Sequence, residues 1–277
     1  MFDPNNFFNA FFVIPILNIL IALYKLLLFV KIPGAFGFAL ILLTVLIRLI
    51  LNPLMVTQLK SSYMLSKLKP ELDKLNEKFK NDKTRLHQEQ LKLYQQAGIN
   101  PAAGCLPLLI QMPVLIALYN LFFQLLDNGN LGKVVEEVNK VVYFTFLKVS
   151  SLDTSFFGMS LGAKPSDWQT QGAWWLLLIP LITGLLQYWQ TKTMIPKSQT
   201  TNNKEQTTDN KEEKKEEDMS SMMQKQMSIM MPLMIGFFAY YFPVGLSLYW
   251  NTFTVFGIIQ QRQINNLLNK KQENGQK

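Results

Sequence analysis

The chain has 277 residues, 49% of them hydrophobic, a net charge of +8, one cysteine and one histidine. The single Cys105 excludes an internal disulfide and a cysteine metal cluster, and His87, set in the polar stretch RLHQEQ, leaves no basis for a histidine metal site or general base. Several long apolar runs make this a polytopic membrane protein rather than a globular core, and an all-α one, because closed barrels would show short alternating strands instead.

The first segment, residues 1–34, carries an apolar stretch over 7–30. It has no basic region ahead of it (MFDPNN holds only Asp3) and no small-residue cleavage site, so it reads poorly as a signal peptide. Pro15, Asn18, Ala22 and Lys25 recur at spacings of three and four, a narrow polar stripe that suits a helix lying in the outer interface. The competing reading is a sixth span that turns back through KIPGAFG.

Residues 35–56 (AFGFALILLTVLIRLILNPLMV) form the first span, meeting the requirement of roughly 20 apolar residues. Arg48 sits inside it. A guanidinium keeps its proton, and an arginine near the centre of a span costs about 2.5 to 3.5 kcal/mol. Such a residue calls for a wet cavity, a partner or a use. The alternative is snorkelling, since Val56 lies eight residues on, about 12 Å away along a helix.

Asn52-Pro53 marks the exit, and residues 57–105 read as a cytoplasmic antiparallel helical hairpin. Leu65, Leu68, Leu72, Leu75 and Phe79 make a heptad seam, Asn81-Asp82 breaks it, and a second helix over 84–97 returns toward the membrane. Residues 106–126 are the second span, with Pro107 and Pro113 near its start. Residues 127–172 form an extracytoplasmic loop whose amphipathic part, 134–149, suits the membrane surface. The third span follows at 173–190. Residues 191–227 are a charged, low-complexity, disordered cytoplasmic loop ending in a run of methionines. The fourth and fifth spans occupy 228–242 and 244–260, joined at Phe242-Pro243, and residues 261–277 are a basic cytoplasmic tail. The fourth is only about 22 Å long against roughly 30 Å of hydrocarbon, which favours local thinning of the bilayer.

Charge supports this topology. Residues 57–105 hold nine basic and five acidic side chains, residues 127–172 four and five, and the chain after Gln261 four and one. The positive-inside bias puts the hairpin and the C-terminus in the cytoplasm, the loop 127–172 and the N-terminus of the core outside.

Three stretches, LTVLIRLILNPL, NPAAGCLPLLIQMPVLIALY, and FPVGLSLYW followed by IIQQ, make residues 35 to 265 similar to the YidC/Oxa/Alb membrane-protein insertases, in their short bacterial form. The resemblance implies five core spans around a hydrophilic groove open to cytoplasm and lipid and closed toward the outside. It makes Arg48 the groove cation, with Thr44 one turn earlier, and places Gln111, Gln187, Tyr249 and Trp250 along the groove or a substrate slide. Many relatives carry an asparagine where this chain has Thr254; Asn251, three residues earlier, offers a shifted amide.

The implied function is insertion and folding of nascent membrane proteins in the bacterial plasma membrane, alone or with the Sec translocon, without catalysis or cofactor. Implied partners are nascent chains, membrane lipids, targeting factors and the ribosome, the last held weakly through the basic tail and the hairpin, with a single copy sufficient. The rival reading is an anion-binding transporter or channel with Arg48 at the substrate site. No internal repeat and no acidic residue in any of the five spans speaks for it.

Overall fold

A computed structural model describes residues 2–98, 106–126, 131–194 and 219–275. The re-entry sequence 99–105, the loop start 127–130 and most of the charged loop 191–218 lie outside the described residues. The helices are α1 (Ile14–Phe29, entered through a π-helical turn Asn9–Val13), α2 (Ala35–Ile50), α3 (Asn52–Lys78), α4 (Lys83–Gln96), α5 (Leu106–Leu126), α6 (Leu131–Val141), α7 (Leu178–Met194), α8 (Met219–Tyr241) and α9 (Val244–Gly275). The fold is mostly helical, with one small antiparallel hairpin, β1 (Ser155–Phe156) with β2 (Met159–Ser160). Its turn residues Phe157 and Gly158 both have positive φ, 49° and 78°, as a two-residue turn matched to strand twist requires.

The chain divides into two units. The first comprises Met1–Leu51, Leu108–Gln187 and Pro232–Gly257. Its core joins Leu17, Leu20, Ile21 and Tyr24 of α1 to Phe36, Ala39, Leu40 and Leu43 of α2, with Leu118, Leu121 and Phe122 of α5 and Val134 and Val138 of α6. The apolar face of α6 is therefore spent inside the protein rather than on a lipid surface. Exposed aromatics follow it instead: Tyr143, Phe144 and Phe146.

The polar stripe of α1 is engaged by the segment that follows α6. Asn18 Nδ2 donates to the Val141 carbonyl at 3.2 Å, and the Tyr143 N–H donates to Asn18 Oδ1 at 2.7 Å. Lys25 Nζ donates to the carbonyls of Phe146 and Lys148. Tyr24 Oη accepts from the Asp153 N–H at 3.0 Å. Further along, the Phe156 ring fills a notch that only glycine leaves open, at Gly34 (φ 70°) and Gly37 on α2. The same segment seats α9: the first helical N–H groups, which lack partners within their own helix, donate from Val244 to Ala163 at 2.9 Å and from Gly245 to Leu161 at 2.8 Å.

α7 and α8 meet through a paired motif, Pro180 and Gly184 against Pro232 and Gly236, so close that a Cβ on Gly236 would lie 3.3 Å from the Pro180 carbonyl oxygen. Small residues spaced by four let membrane helices approach in this way.

The second unit comprises Asn52–Pro107, Tyr188–Met231 and Ile258–Lys277. Within it α3 and α4 follow one another through a short turn and pack together. Asp82 caps α4 by accepting from the Arg85 N–H at 3.0 Å, and Gln90 Nε2 donates to Asn76 Oδ1 at 2.9 Å. Leu68, Leu72, Leu75 and Phe79 are only half-buried, and α4 buries no residue fully. Exposed ion pairs such as Lys92 with Glu89, which holds the Glu89 carboxyl below its ordinary range, decorate the surface.

Several bounds differ from expectation. The helix that carries Arg48 closes at Ile50, Leu51 caps it, and a new helix starts at Asn52. Pro53 then falls in a first turn, where a missing N–H costs least. α8 begins nine residues before the expected fourth span, and α9 continues to Gly275 through most of the expected tail. Among the described residues only Asn9–Phe29 is both long and apolar enough to cross a membrane; Ala35–Ile50, Gln111–Leu125 and Ser228–Tyr241 are apolar but shorter.

Candidate functional site

Because α2 ends at Ile50, Arg48 lies in its last turn rather than mid-helix. There the carbonyl end of the helix favours a cation, by about 0.3 to 1 kcal/mol and more when partly buried. The side chain is 1% exposed, the largest among the fully buried ones. Its Nη2 donates to the backbone carbonyl of Phe253 on α9 at 2.7 Å, and its guanidinium carbon lies 3.4 Å from the centroid of the Phe253 ring. A desolvated cation–π contact contributes about 2 kcal/mol, and a hydrogen bond to a charged donor about 1.5 to 3. Each is comparable to the cost of about 2.5 to 3.5 kcal/mol that an arginine carries at a span's centre. The charge is thus held by an aromatic face, a carbonyl and a helix end.

Two more polar contacts converge on α9. From α5, Gln111 Nε2 donates to Tyr249 Oη, and Tyr249 is 1% exposed. From α7, the buried Gln187 accepts at Oε1 from Trp250 Nε1 at 3.0 Å. Thr44, fully buried one turn before Arg48, turns its hydroxyl back to the Leu40 carbonyl at 2.7 Å. On a helix, where threonine commonly bonds the carbonyl four residues back, that leaves no donor for a neighbour.

Asn251 Oδ1 and Thr254 Oγ1 are buried atoms without a partner among the described residues, and so is Ser247 Oγ. Unsatisfied buried oxygens are uncommon, and each costs about 1 to 3 kcal/mol. Ser247, Asn251 and Thr254 lie at spacings of four and three, hence on one face of α9. Tyr249 and Phe253 share a different face, roughly opposite at about 100° per residue.

The eight residues expected from the sequence therefore separate into two groups. Arg48, Gln111 and Tyr249 gather on the Tyr249–Phe253 face. Gln187 and Trp250 meet on the α7 side, with Asn251 and Thr254 on the stripe beside Trp250. Thr44 sits behind Arg48, closed on its own helix. Sequence reasoning missed Ser247, whose spacing to Asn251 signals it, and Phe253, whose ring reads as one more apolar residue in an apolar helix. Among the described residues no group of His, Cys, Asp and Glu is arranged to hold a metal ion.

The chain is 31% identical to the membrane protein insertase MisCA of Bacillus subtilis (strain 168), over 93% of this chain and 79% of that one. It is 32% identical to the membrane protein insertase YidC of Fusobacterium nucleatum, covering 83% of this chain and 86% of the relative. To the YidC of Oceanobacillus iheyensis it is 30% identical over 83% and 74%. The profile of the 60Kd inner membrane protein family matches residues 28–272, and the chain belongs to that family.

Proposed function

We propose that this protein is a membrane-protein insertase of the bacterial plasma membrane, in which Arg48 is the site that receives acidic or polar groups of a nascent chain. The observation that carries the reading is a permanently charged side chain, 1% exposed in an apolar helix, held against α9 in a chain matched to the insertase family over residues 28–272. A nascent segment with a polar outer tail faces a barrier because that tail must cross hydrocarbon. A polar groove open to cytoplasm and lipid shortens the crossing, and a cation in low dielectric attracts acidic groups strongly. Arg48, Gln111 and Tyr249 form the charged end of that groove. Gln187, Trp250, Asn251 and Thr254 line the side from which a hydrophobic segment leaves along α7 and α9, and Thr44 backs Arg48. No bond is made or broken.

The reading places five core spans in the membrane, with the α3–α4 hairpin and the C-terminus in the cytoplasm. α1 lies along the outer interface, which its repeated bonding to the segment 141–153 supports. The apolar helices Ala35–Ile50 and Ser228–Tyr241 span about 24 and 21 Å at helical rise, short of about 30 Å, which supports local thinning. The basic C-terminal segment and the hairpin contact the ribosome weakly and in a salt-sensitive manner. Cooperation with the Sec channel and targeting factors belongs to the same reading, and one copy suffices.

Complementation of an insertase-depleted bacterium tests it, scored by insertion of a small Sec-independent protein with an acidic outer loop. Wild type should rescue, Arg48→Ala should fail, and Arg48→Lys should retain much of the activity. Equal rescue by all three would remove the electrostatic role of Arg48. Failure of a well-expressed wild type in several hosts would remove the insertase reading itself.

A further inference from the structure

Arg48 is covered. Its guanidinium carbon stands 3.4 Å from the centre of the Phe253 ring, and its Nη2 is bonded at 2.7 Å to the carbonyl of that same residue. One residue of α9 thus supplies both a π face and an oxygen, the two kinds of electron density that a guanidinium accepts in place of a carboxylate. Phe253 is itself half-buried and rests against Tyr249 one turn earlier, ring centroids 6.0 Å apart, and Tyr249 is tied to Gln111. The cover is therefore braced from α5.

From this geometry we infer that Phe253 is a specificity-determining residue: it occupies the Arg48 site in the substrate-free state, and an entering chain must displace it. The inference rests on the insertase reading above and adds a threshold to it. A guanidinium that already has a ring and a carbonyl exchanges them only for a group that offers more, so a carboxylate competes well and a neutral amide or hydroxyl poorly. A bare arginine would bind all of these. The ring raises the cost of every occupant by the same amount and leaves the ratio of affinities as it was. Acidic tails still fill the site at that cost, whereas neutral tails fall below the affinity needed to occupy it, and preference follows from occupancy.

The ring's contribution sets the expected size of the effect. Cation–π contacts in dry surroundings shift an equilibrium by roughly thirty-fold. Phe253→Leu keeps apolar volume and removes the π face; Phe253→Met does the same with a flexible chain; Phe253→Tyr keeps the ring.

Two measurements separate the inference from the reading beneath it. The first is the rate at which phenylglyoxal modifies Arg48, followed by mass spectrometry of its own peptide in the full-length protein in lipid nanodiscs. The chain has three arginines, and Arg85 and Arg262 serve as internal references. Phe253→Leu and Phe253→Met should label Arg48 about tenfold faster or more, and Phe253→Tyr should label like wild type. The second is insertion of a matched substrate pair, outer tails acidic or with each Asp and Glu changed to Asn and Gln. Wild type should favour the acidic member, and the ring-less variants should narrow that preference by about tenfold, chiefly by gaining on the neutral tail.

Unchanged labelling in both ring-less variants overturns the cover. Faster labelling with an unaltered preference between the tails overturns the role in specificity. Loss of insertion for both tails alike shows Phe253 to be packing only and also overturns it. If the wild type inserts neither substrate, the insertase reading falls, while the labelling rates still decide whether the ring covers Arg48. Because two ring-less variants are used, misfolding of one leaves the test in place.

Discussion

Asn18 is the residue by which α1 holds the outer segment, and Asn18→Leu measures that hold. The side chain is 4% exposed; it satisfies the Val141 carbonyl at 3.2 Å and the Tyr143 N–H at 2.7 Å. Its third bond, from Nδ2 to the Ile14 carbonyl at 2.9 Å, goes to an oxygen already served within the helix and contributes less. Leucine matches the volume but leaves one part-buried donor and one part-buried acceptor without that partner, each costing up to about 1 to 3 kcal/mol. Leucine's own burial returns about 1 kcal/mol of that. The net of about 1 to 5 kcal/mol does not exceed the low end of the stability of a typical domain, about 5 to 15 kcal/mol. The expected result is local opening rather than loss of the fold. Hydrogen exchange in nanodiscs should show amides over 141–149 exchanging roughly 5- to 5000-fold faster, with α2 and α5 unchanged. Asn18→Asp should fall between, since it keeps the acceptor for Tyr143 but sets a second acceptor against the Val141 carbonyl. Unchanged exchange at Tyr143 would refute the reasoning, as would acceleration spread evenly over all helices, which would mean global destabilisation.

Two other expectations follow from the packing. At the α7–α8 crossing, a Cβ on Gly184 would meet the Pro232 carbonyl oxygen at 3.5 Å, an ordinary contact, whereas on Gly236 it would meet the Pro180 carbonyl oxygen at 3.3 Å. Gly184→Ala should therefore be neutral or stabilising by up to about 1 kcal/mol through helix propensity, while Gly236→Ile should cost about 1 to 3 kcal/mol by forcing the helices apart; unfolding midpoints in mixed micelles check the order, and equal midpoints would deny the close approach. For α1, Phe7 and Phe29 are exposed by 71% and 88%, so Phe7→Cys and Phe29→Cys in a Cys105→Ser background should both react with an impermeant maleimide from the outer side. Reaction of only one would mean that the helix crosses the membrane.

Much of the helical layout is legible because it follows from local chemistry. α5 runs over Leu106–Leu126, the length of one apolar run, and Asp82, just after Asn81, caps α4. Phe242-Pro243 does separate α8 from α9. What apolar runs cannot report is where a helix ends once its side chains become polar. α8 starts at Met219 and α9 persists to Gly275 because backbone hydrogen bonding continues through good helix formers such as Gln, Lys and Leu, whatever their hydropathy. The break at Leu51 lies one residue before Asn52-Pro53, the exit read from the sequence, whereas the apolar run continues through it to Val56 and carries the expected span too far. The stripe Pro15–Asn18–Ala22–Lys25 was legible as polar, but its partners are backbone groups more than a hundred residues away, which no local pattern encodes.

The site divides along the same line. Arg48 announces itself, since a fixed charge in an apolar run demands an explanation. What holds it does not, because the holder is a phenylalanine 205 residues on, chemically indistinguishable in sequence from one that faces lipid. The wheel of α9 nevertheless contains a signal. A helix that lies between lipid and one partner needs a single polar stripe. Here Ser247, Asn251 and Thr254 fall on one side while Tyr249 lies across the helix from them, so α9 is polar on two faces. Such a helix must meet protein on both, and the structure has it bonded to α2 and α5 on the Tyr249–Phe253 side and to α7 through Trp250. That arrangement also accounts for Ser247 Oγ, Asn251 Oδ1 and Thr254 Oγ1 on this stripe. The Tyr249–Phe253 face has its polar contacts filled, by Arg48 and by Gln111, whereas the opposite stripe offers acceptors to which no described residue donates. Buried acceptors in that state are stabilised by whatever polar group enters next, and in the proposed function that group is the backbone or side chain of a segment in transit.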